Sequence, residues 1–419
     1  MKLLWLCNMV PSVIREKMGL RAGSGLWVDH VLKDLRNRED LMLHVLGLSD
    51  SFADGILDER CSYGTFSAGA PYKYLPGLEA HFRNELKRFC PDVIHIWGTE
   101  YAHTLAMVNA AEQEGMLERV VISIQGLCSV YTDHYAEGLP PALVNAFTPR
   151  DLFRWDTISL QRKKYAQRGA HEIAALKKVV HVIGRTDWDK ACAEQINPEI
   201  TYHKCNETLR PVFYSGSWDY ALCQKHRVFA SSCSYPVKGF HYLLKAMAQV
   251  RQQYPDATLA VPGRAPCSGG VRHKLLVNAY ELYLYHLIRR YELQNNVVFL
   301  GSLSAEEMKA NYLCANVFAL PSTIENSPNS LGEAMLLGVP CVSSDVGGVT
   351  TMMTHNKEGY VYQSTAPYML AYYIRQVFAM EDKAASMGQQ ARSHAAKTHD
   401  PENNLRDLLD IYREIAGKE

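Results

Sequence analysis

The sequence predicts an α/β protein made of two doubly wound domains, each with a parallel β-sheet covered by helices on both faces. Short apolar runs alternate along most of the chain with segments whose apolar residues recur at helical spacing. These runs are too numerous for one ordinary open sheet. The length of 419 residues also favours two domains over one.

The composition argues against nucleic-acid-binding, disordered, fibrous and membrane-spanning proteins. The 44 Lys and Arg residues balance 44 Asp and Glu residues, so the net charge is zero and a nucleic-acid partner is not expected. A hydrophobic fraction of 47% excludes a disordered or fibrous protein. No apolar run is long enough to predict a membrane span. The eleven cysteines include no C-x-x-C pair, which favours a reducing cytoplasm over a disulfide framework or a zinc site.

The predicted elements follow in chain order. The apolar run at residues 3–7 imitates a signal peptide, but Asn8 interrupts it and no small-residue cleavage site follows, so we interpret it as the first buried strand. Apolar residues at i, i+3, i+4 and i+7 predict a helix at 27–35. Further strands are predicted at 93–97, 120–124, 179–183, 227–231, 258–262, 297–300, 317–320 and 339–343.

This order of elements predicts the domain boundaries. We expect an N-terminal domain at 1–208, an interdomain crossing at 209–224 where no clean period is found, and a C-terminal domain at 225–395. Residues 396–419 are predicted to form a closing helix that packs back on the first domain. Because open α/β sheets bind ligands at the carboxyl ends of their strands, a ligand is expected in a cleft between the domains.

The most informative segment is Glu325-Asn-Ser-Pro-Asn-Ser-Leu-Gly-Glu333. A strand leads into this polar loop, and Pro328 suits the first turn of the helix that follows. The backbone amides of Asn329, Ser330 and Leu331 are therefore expected to be unpaired donors at a helix N-terminus, a place that attracts anions.

The two glutamates of this segment have two explanations. Glu333 can accept hydrogen bonds from a vicinal diol such as a ribose, and Glu325 can project from the loop towards a ligand. A helix cap with acidic residues in its first turn explains the same spacing, so the spacing alone leaves both explanations open.

Several stretches resemble, in the same order, those of the retaining glycosyltransferases of family 4, which have the GT-B fold of two facing Rossmann-like domains. Besides the glutamate segment and the Gly347-Gly348 pair after it, they are Gly23-Ser-Gly-Leu-Trp-Val28, Asp92-Val-Ile-His-Ile-Trp-Gly-Thr-Glu100, Val121-Ile-Ser-Ile-Gln-Gly126, Gly184-Arg-Thr-Asp-Trp-Asp189, Tyr202-His-Lys-Cys-Asn-Glu-Thr-Leu-Arg210 and Tyr235-Pro-Val-Lys-Gly239. The resemblance covers nearly the whole chain.

The resemblance implies roles for particular residues. Glu333 would hold the ribose of a nucleotide sugar, and the amides of Asn329 to Leu331 would face its diphosphate. Glu325 would contact the donor sugar near its reacting face, and Lys238 would pair with the diphosphate, which makes these two the expected catalytic residues.

The chain also departs from the family pattern. The family often has an arginine six positions before the lysine, where this chain has Ser232. Arg264, which follows Gly263, and Arg185 are the candidates to replace that charge. Gln125 stands where many members have a histidine, so it can hydrogen-bond the donor sugar but cannot take up a proton.

The remaining candidates have weaker signals. The loop Gly23-Ser24-Gly25 is expected to cradle the donor phosphate or the acceptor rather than an NAD molecule, because the third glycine of the dinucleotide motif is missing. His95 lies near the end of the strand predicted at 93–97, and three roles stay open for it: lining the cleft, packing in the core or lying at the surface. Asp187-Trp-Asp189 matches a metal-binding Asp-x-Asp pattern, but it opens a helix, where aspartates commonly cap. We therefore expect no metal and no cofactor.

A basic segment points to a further partner. Residues 150–178 contain eight basic and three acidic residues, with Phe153 and Trp155 between them. Two interpretations stay open: a solvated helix face, and peripheral docking on an anionic membrane surface at the inner face of the cytoplasmic membrane.

Together, the resemblance implies a metal-independent, retaining glycosyltransferase of polysaccharide biosynthesis. It would move a sugar from a nucleotide-sugar donor to a growing glycan acceptor, free or lipid-linked. Two alternatives are a nucleotide-sugar epimerase of the same fold and a non-catalytic glycan-binding partner in a polysaccharide-assembly complex.

Overall fold

The computed structural model describes residues 1–20, 27–266 and 276–417. The predicted glycine loop, Gly23-Ser24-Gly25, lies outside the described residues. The chain forms two compact units. The first comprises Met1–Val130, Lys164–Arg210 and His399–Glu419, and the second comprises Tyr131–Lys163 and Pro211–Thr398.

The first unit is built on a sheet that has eight strands within the described ranges. Strands β1 to β8 are, in chain order, Lys2–Cys7, Met42–Leu48, Asp54–Asp58, Cys61–Phe66, Val93–Trp97, Val120–Ser123, His181–Gly184 and Thr201–Lys204. Their spatial order is β3-β4-β2-β1-β5-β6-β7-β8, and only the β3–β4 pair among them is antiparallel. The sequence analysis missed β2, β3, β4 and β8.

The second unit is built on a sheet with six strands among the residues that are described. Strands β9 to β14 are Arg227–Phe229, Thr258–Val261, Val297–Phe299, Val317–Leu320, Cys341–Asp345 and Tyr360–Gln363. They pair in parallel in the order β11-β10-β9-β12-β13-β14. The predicted class, α/β with two largely parallel sheets, is confirmed.

Helices connect the strands of each sheet. Those of the first unit are Ser12–Lys17, Trp27–Arg36, Gly77–Phe89, Ala102–Gln113, Asp187–Ile196 and Pro401–Ile415. Those of the second are Pro141–Val144, Pro149–Arg154, Phe240–Gln253, Ala279–Arg290, Ala305–Cys314, Asn329–Leu336, Val349–Met352, Pro367–Met380 and Ala384–Thr398. Two helices, Cys128–His134 and Ile158–Leu176, run from one unit into the other. Short 3₁₀ turns are Leu117–Arg119, Pro211–Tyr214, Pro236–Lys238 and Glu381–Lys383.

The first sheet is buried on both faces. Along β1, Leu4 and Leu6 belong to one apolar cluster, whereas Leu3 and Trp5 belong to the other. The alternation follows from the two-residue period of a strand. Burial on both faces explains why β1 is a continuous apolar run rather than an alternating one.

The final helix, Pro401–Ile415, covers the Trp5 side of this sheet. Tyr412 is fully buried there, and its hydroxyl accepts a hydrogen bond from the Trp5 indole nitrogen (3.1 Å). The C-terminus of the chain therefore completes the core of the first unit.

Residues 131–163, which the sequence analysis placed in the N-terminal domain, belong to the second unit. Asp151 is fully buried and accepts a hydrogen bond from the amide of Ala279 (2.9 Å), and Thr148 donates to the carbonyl oxygen of Val277 (2.8 Å). These long-range bonds attach the segment to the start of helix Ala279–Arg290.

Candidate functional site

The loop at residues 321–326 follows β12 in the second unit and is buried along its whole length. Side chains and backbone of neighbouring segments hold it. The amide of Thr323 donates to the carbonyl oxygen of Val237 (2.8 Å). The hydroxyl of Ser344 donates to the carbonyl oxygen of Ser322 (2.7 Å). A buried loop needs such partners for its polar groups, and here they fix the position of Glu325.

Glu325 and Lys238, both predicted to be catalytic, lie together. Lys238 ends the 3₁₀ turn Pro236–Lys238, and its Nζ lies 2.6 Å from Oε1 of Glu325. The hydroxyl of Ser322 donates to the same oxygen (2.7 Å). Glu325 is buried, whereas a quarter of the Lys238 side chain is exposed. The arrangement presents a fixed positive charge supported by a carboxylate beneath it.

Two glycines allow neighbouring backbones to approach this loop. Gly239 has φ of +63°, and a Cβ atom on it would lie 1.7 Å from the carbonyl oxygen of Pro321. Gly347 has φ of +50°, and its Cβ would lie 1.9 Å from the carbonyl oxygen of Glu325. Both belong to motifs quoted above, and both positions require a residue without a side chain.

The helix Asn329–Leu336 begins four residues after Glu325, with Pro328 at its N-cap. The prediction of three unpaired amides is wrong for Leu331, whose N–H donates to the carbonyl oxygen of Pro328 (2.9 Å) in a tight first turn. No hydrogen bond from the amides of Asn329 and Ser330 is found within the described ranges. The Asn329 Oδ1 atom is buried and also has no partner there, which is costly unless a ligand supplies one.

Glu333 lies on the same helix and is buried. Tyr312 lies beneath the first turn, where its hydroxyl donates to the carbonyl oxygen of Ser330 (3.0 Å) and is 3.5 Å from Oε2 of Glu333. Sequence reasoning missed Tyr312, since a tyrosine at a core position of helix Ala305–Cys314 carries no signal of its own. The Tyr312 hydroxyl therefore contacts both the backbone of the first helical turn and the Glu333 carboxylate, and helps to hold them in place.

The other predicted donor-binding residues of the second unit lie at the ends of neighbouring strands. Ser232 follows β9 and hydrogen-bonds with Ser234 (3.0 Å). Gly263 follows β10, has φ of +120° and exchanges backbone hydrogen bonds with Gly301. Arg264 is exposed. β9 and β10 pair directly, so these residues share one edge of the sheet. That Ser232, Gly263 and Arg264 contact the nucleotide-sugar donor stays a prediction.

Gln125 and Arg185 meet in the first unit around Glu207. The Arg185 guanidinium lies 2.6 Å from Oε2 of Glu207, and the Gln125 amide donates to Oε1 (2.6 Å). Arg185 also donates to the carbonyl oxygen of Ile124 (2.9 Å) and is buried. Its charge is thus engaged within the unit, and its proposed role as a diphosphate partner stays a prediction.

His95 is a core residue, which is one of the roles that the sequence left open and not the cleft role. It is buried, and its two ring nitrogens hydrogen-bond with the hydroxyls of Tyr412 (2.5 Å) and Ser123 (2.7 Å). Burial lowers the pKa of His95 to about 3, so the ring is neutral. The residue links β5, β6 and the final helix.

Asp189 caps a helix, as its position suggested. Thr186 and Asp189 form a capping box at the start of Asp187–Ile196, and Asp189 also accepts from the amide of Arg185 (2.9 Å) and the hydroxyl of Tyr202 (2.6 Å). In the part of the chain that the structure describes, no three His, Cys, Asp or Glu side chains are grouped to hold a metal ion.

A cavity of about 260 Å³ lies in the first unit at the carboxyl ends of β1 and β5. It is lined by Cys7, Asn8, Met9, Val28, Trp97, Glu100, Tyr101 and Gln125. The Oε2 atom of Glu100 is buried and has no hydrogen-bond partner in the described part of the chain. Burial raises the pKa of Glu100 to about 7, with Arg168 opposing this shift and Glu172 adding to it. Glu100 lies within a quoted motif, but only burial distinguishes it from an exposed loop glutamate.

Replacing Glu100 with glutamine is expected to change how stability depends on pH. The pKa of the folded state, about 7, is above the ordinary 4.5, so the folded protein keeps a proton that the unfolded chain releases. The free energy of unfolding of the wild type therefore falls as pH rises through this window. Glu100→Gln removes that fall, so its stability relative to the wild type rises by up to ~3 kcal/mol between acidic and mildly alkaline pH. Urea unfolding at both ends of the window measures the difference.

A matched variant, Glu79→Gln, is expected to show the opposite pH dependence of stability relative to the wild type. The hydrogen bond from the Tyr74 hydroxyl holds the pKa of Glu79 below its usual range, so this contribution to stability is lost as pH falls. Glu79→Gln should therefore lose stability relative to the wild type as pH rises. Parallel pH curves for Glu100→Gln and the wild type would show that Glu100 titrates normally.

Sequence comparison assigns part of the chain to a family. Residues 224–394 match the family described as glycosyl transferases group 1. The chain is 30% identical over 182 residues to the D-inositol 3-phosphate glycosyltransferase of Corynebacterium urealyticum, covering 43% of this chain and 41% of that protein. It is 26% identical over 180 residues to a GDP-mannose-dependent alpha-(1-6)-phosphatidylinositol monomannoside mannosyltransferase of Mycobacterium tuberculosis, covering 41% and 43%. The match thus spans about two fifths of these relatives.

Solved structures resemble the whole chain. Sucrose-phosphate synthase from Thermosynechococcus elongatus has a TM-score of 0.72 at 16% identity, covering 99% of each chain. Anabaena HepE, solved in complex with UDP-glucose, has a TM-score of 0.66 at 18% identity, covering 99% of this chain and 100% of that one. These likenesses confirm the predicted GT-B fold class.

Proposed function

We propose that this chain, whose residues 224–394 belong to the glycosyl transferases of group 1, transfers a sugar from a nucleotide-sugar donor to a growing glycan. The observation that carries the proposal is the Lys238–Glu325 pair, held at 2.6 Å beside the start of helix Asn329–Leu336 within the matched segment. Breaking the bond between the sugar and the nucleoside diphosphate adds negative charge to the leaving phosphate. An ammonium group and helix N-terminal amides are suited to stabilise that charge.

The proposal assigns each residue a part of the reaction. In the net reaction, the bond from the anomeric carbon to the phosphate oxygen breaks and a bond from that carbon to the acceptor hydroxyl oxygen forms. The nucleoside diphosphate leaves with the bonding electron pair, and the hydroxyl proton passes to solvent. Lys238 and the amides of Asn329 and Ser330 hold the departing diphosphate, Glu325 orients Lys238 and the sugar, and Glu333 binds the ribose. Retention of anomeric configuration and a lipid-linked acceptor are proposed from the resemblance described above. Independence from metal is proposed from the resemblance and from the capping position of Asp187-Trp-Asp189, and a cytoplasmic location from the cysteine pattern.

Support for the donor class comes from the relatives. HepE was solved with UDP and with UDP-glucose, and the mycobacterial relative is named for its dependence on GDP-mannose. A thermal-shift screen against UDP-, GDP- and ADP-sugars therefore tests the donor directly, followed by a transfer assay with the best ligand. Donor turnover without acceptor would favour the epimerase alternative, and stabilisation only by glycans would favour the binding-protein alternative.

Glu333→Ala is expected to weaken donor binding about 10–150-fold, the equivalent of a charge-assisted hydrogen bond of ~1.5–3 kcal/mol. The carboxylate is buried on the helix that follows the Lys238–Glu325 pair, so its loss removes an acceptor for the ribose without altering the exposed surface. Isothermal titration calorimetry with the donor found by the screen measures the change.

Tyr312→Phe is the control for this variant. It removes the hydroxyl beneath the helix start but leaves the carboxylate, so we expect a smaller loss of affinity. Unchanged donor affinity in Glu333→Ala would remove the ribose role from this residue.

A further inference from the structure

The segment at residues 147–155 exposes four large apolar side chains. The exposed fractions are 63% for Phe147, 55% for Leu152, 88% for Phe153 and 72% for Trp155. We call these four residues the apolar ridge. Single exposed apolar residues are ordinary, but four within nine positions form a patch of the kind that marks an interaction surface.

The ridge is held outward by buried polar groups. Thr148 and Asp151 form a capping box in helix Pro149–Arg154, and both side chains are buried. As described above, they also bond to the backbone of Val277 and Ala279 in the same unit. The short helix therefore has its polar side against the protein and its apolar side towards solvent, the reverse of an ordinary surface helix.

The exposed charges around the ridge are mostly basic, with Asp133 as an exposed acidic neighbour. Arg150 pairs with the buried Asp151 (3.4 Å) and the half-buried Asp156 (3.3 Å), so these three side chains carry one net negative charge that is not fully exposed. Exposed beside the ridge in the same stretch are the cationic side chains Arg154, Arg162 and Lys163, with Arg162 at 3.9 Å from Asp133.

Three further basic residues of the segment have partners within the structure, whereas Lys177 is exposed. Arg168 donates to the carbonyl oxygen of Glu100 (2.5 Å), Lys178 pairs with Glu112 (2.5 Å), and Lys164 lies over the ring of Tyr72. Three of the four exposed basic side chains of 150–178 therefore lie at 154–163, and the fourth is Lys177.

We infer that the apolar ridge inserts into the headgroup region of an anionic phospholipid surface. Trp and Phe side chains flanked by Arg and Lys are the composition favoured at that interface, where rings enter the acyl boundary and cations meet lipid phosphates. The charge complementarity selects an anionic lipid surface over a neutral one. In the part of the chain that the structure describes, no helix has the length and apolar character needed to cross a bilayer, so the ridge would act as a peripheral contact.

Vesicle sedimentation of the full chain tests the inference. Wild-type protein should sediment with vesicles of phosphatidylcholine mixed with phosphatidylglycerol, and more weakly with phosphatidylcholine alone. The double variant Phe153→Ser, Trp155→Ser should partition on the order of 10–100-fold less, because two exposed rings are removed. Arg154→Gln should lower partition roughly fivefold on the anionic vesicles alone.

The matched control is Leu222→Ser, which removes an apolar side chain that is 81% exposed elsewhere on the same unit. It should sediment like the wild type. Trp155→Phe should keep vesicle binding but lose the blue shift of tryptophan fluorescence, which places the ring itself in the lipid. Since every variant is at an exposed position, thermal unfolding is expected to match the wild type and verifies folding.

Two outcomes overturn the inference. One is wild-type protein that ignores anionic vesicles, or a double variant that binds them as well as the wild type. The other is self-association in sedimentation velocity that the double variant abolishes, which would make the ridge an interface between copies of this chain. The assay requires no sugar transfer, so its failure leaves the proposed function standing.

Discussion

Lys238→Ala is expected to lower the rate of sugar transfer about 10–150-fold while the protein stays folded. A charge-assisted contact of ~1.5–3 kcal/mol made to the leaving diphosphate corresponds to that range. The side chain lies at the end of a 3₁₀ turn with a quarter of its surface exposed, so truncating it leaves no large cavity. Because the diphosphate gains charge as the bond breaks, kcat should fall more than donor affinity.

Initial rates at limiting and saturating donor measure this effect. Lys309→Ala is the matched control, since Lys309 is a lysine of the same unit that hydrogen-bonds at the surface with Ser215 (2.8 Å). It should keep the wild-type rate. A Lys238→Ala enzyme that transfers as fast as the wild type would end the role of this residue in the reaction.

Glu325→Gln tests the role of the negative charge of this residue, because glutamine has nearly the same shape as glutamate but no charge. The substitution keeps an acceptor for the Ser322 hydroxyl but removes the negative partner of Lys238. We expect a loss of transfer comparable to that of Lys238→Ala, and a double variant that loses less than the two single losses combined. Such non-additivity is the mark of two side chains that act as one unit.

The sequence predicts those parts of the fold that are determined by local patterns of apolar residues, and it does not predict those determined by tertiary contacts. Strands such as β1 and β12 are buried on both faces and so read as continuous apolar runs, which is why they were found. The missed β3, Asp54–Asp58, is an antiparallel edge strand with no fully buried residue. Its pairing with β4 is a tertiary fact that local periodicity does not encode.

In the candidate site, too, the features with a local sequence signature were predicted and those set by tertiary packing were not. The segment from Glu325 to Glu333 was identified because a strand, a polar loop and a helix start have a local signature. The Lys238–Glu325 contact joins residues 87 positions apart. The resemblance gave each residue a role at the donor but did not predict that the two side chains pair. Tyr312 and the burial of Glu100 were missed because they depend on packing between distant elements. The sequence left the role of His95 open because a histidine at a strand end has the same local sequence whether it faces solvent or a core.

Gly239→Ala is expected to destabilise the second unit by about 2–5 kcal/mol. Two costs add: a left-handed backbone for a residue with a side chain, typically 1–2 kcal/mol, and steric overlap in a packed region, typically 1–3 kcal/mol. The overlap is with backbone, since the new Cβ would lie 1.7 Å from the carbonyl oxygen of Pro321 and 3.3 Å from the Cα of Ser322. The 321–326 loop must therefore move, and Glu325 with it.

Gly301→Ala isolates the steric part. Gly301 has a similar φ of +73°, but a Cβ there meets nothing within 4 Å, so only the backbone cost of ~1–2 kcal/mol is expected. Urea unfolding of both variants measures the two costs, and donor titration of Gly239→Ala should show weakened binding because the loop is displaced. If the two variants were equally stable, the close approach of residue 239 to the loop would not be what holds Lys238 against Glu325.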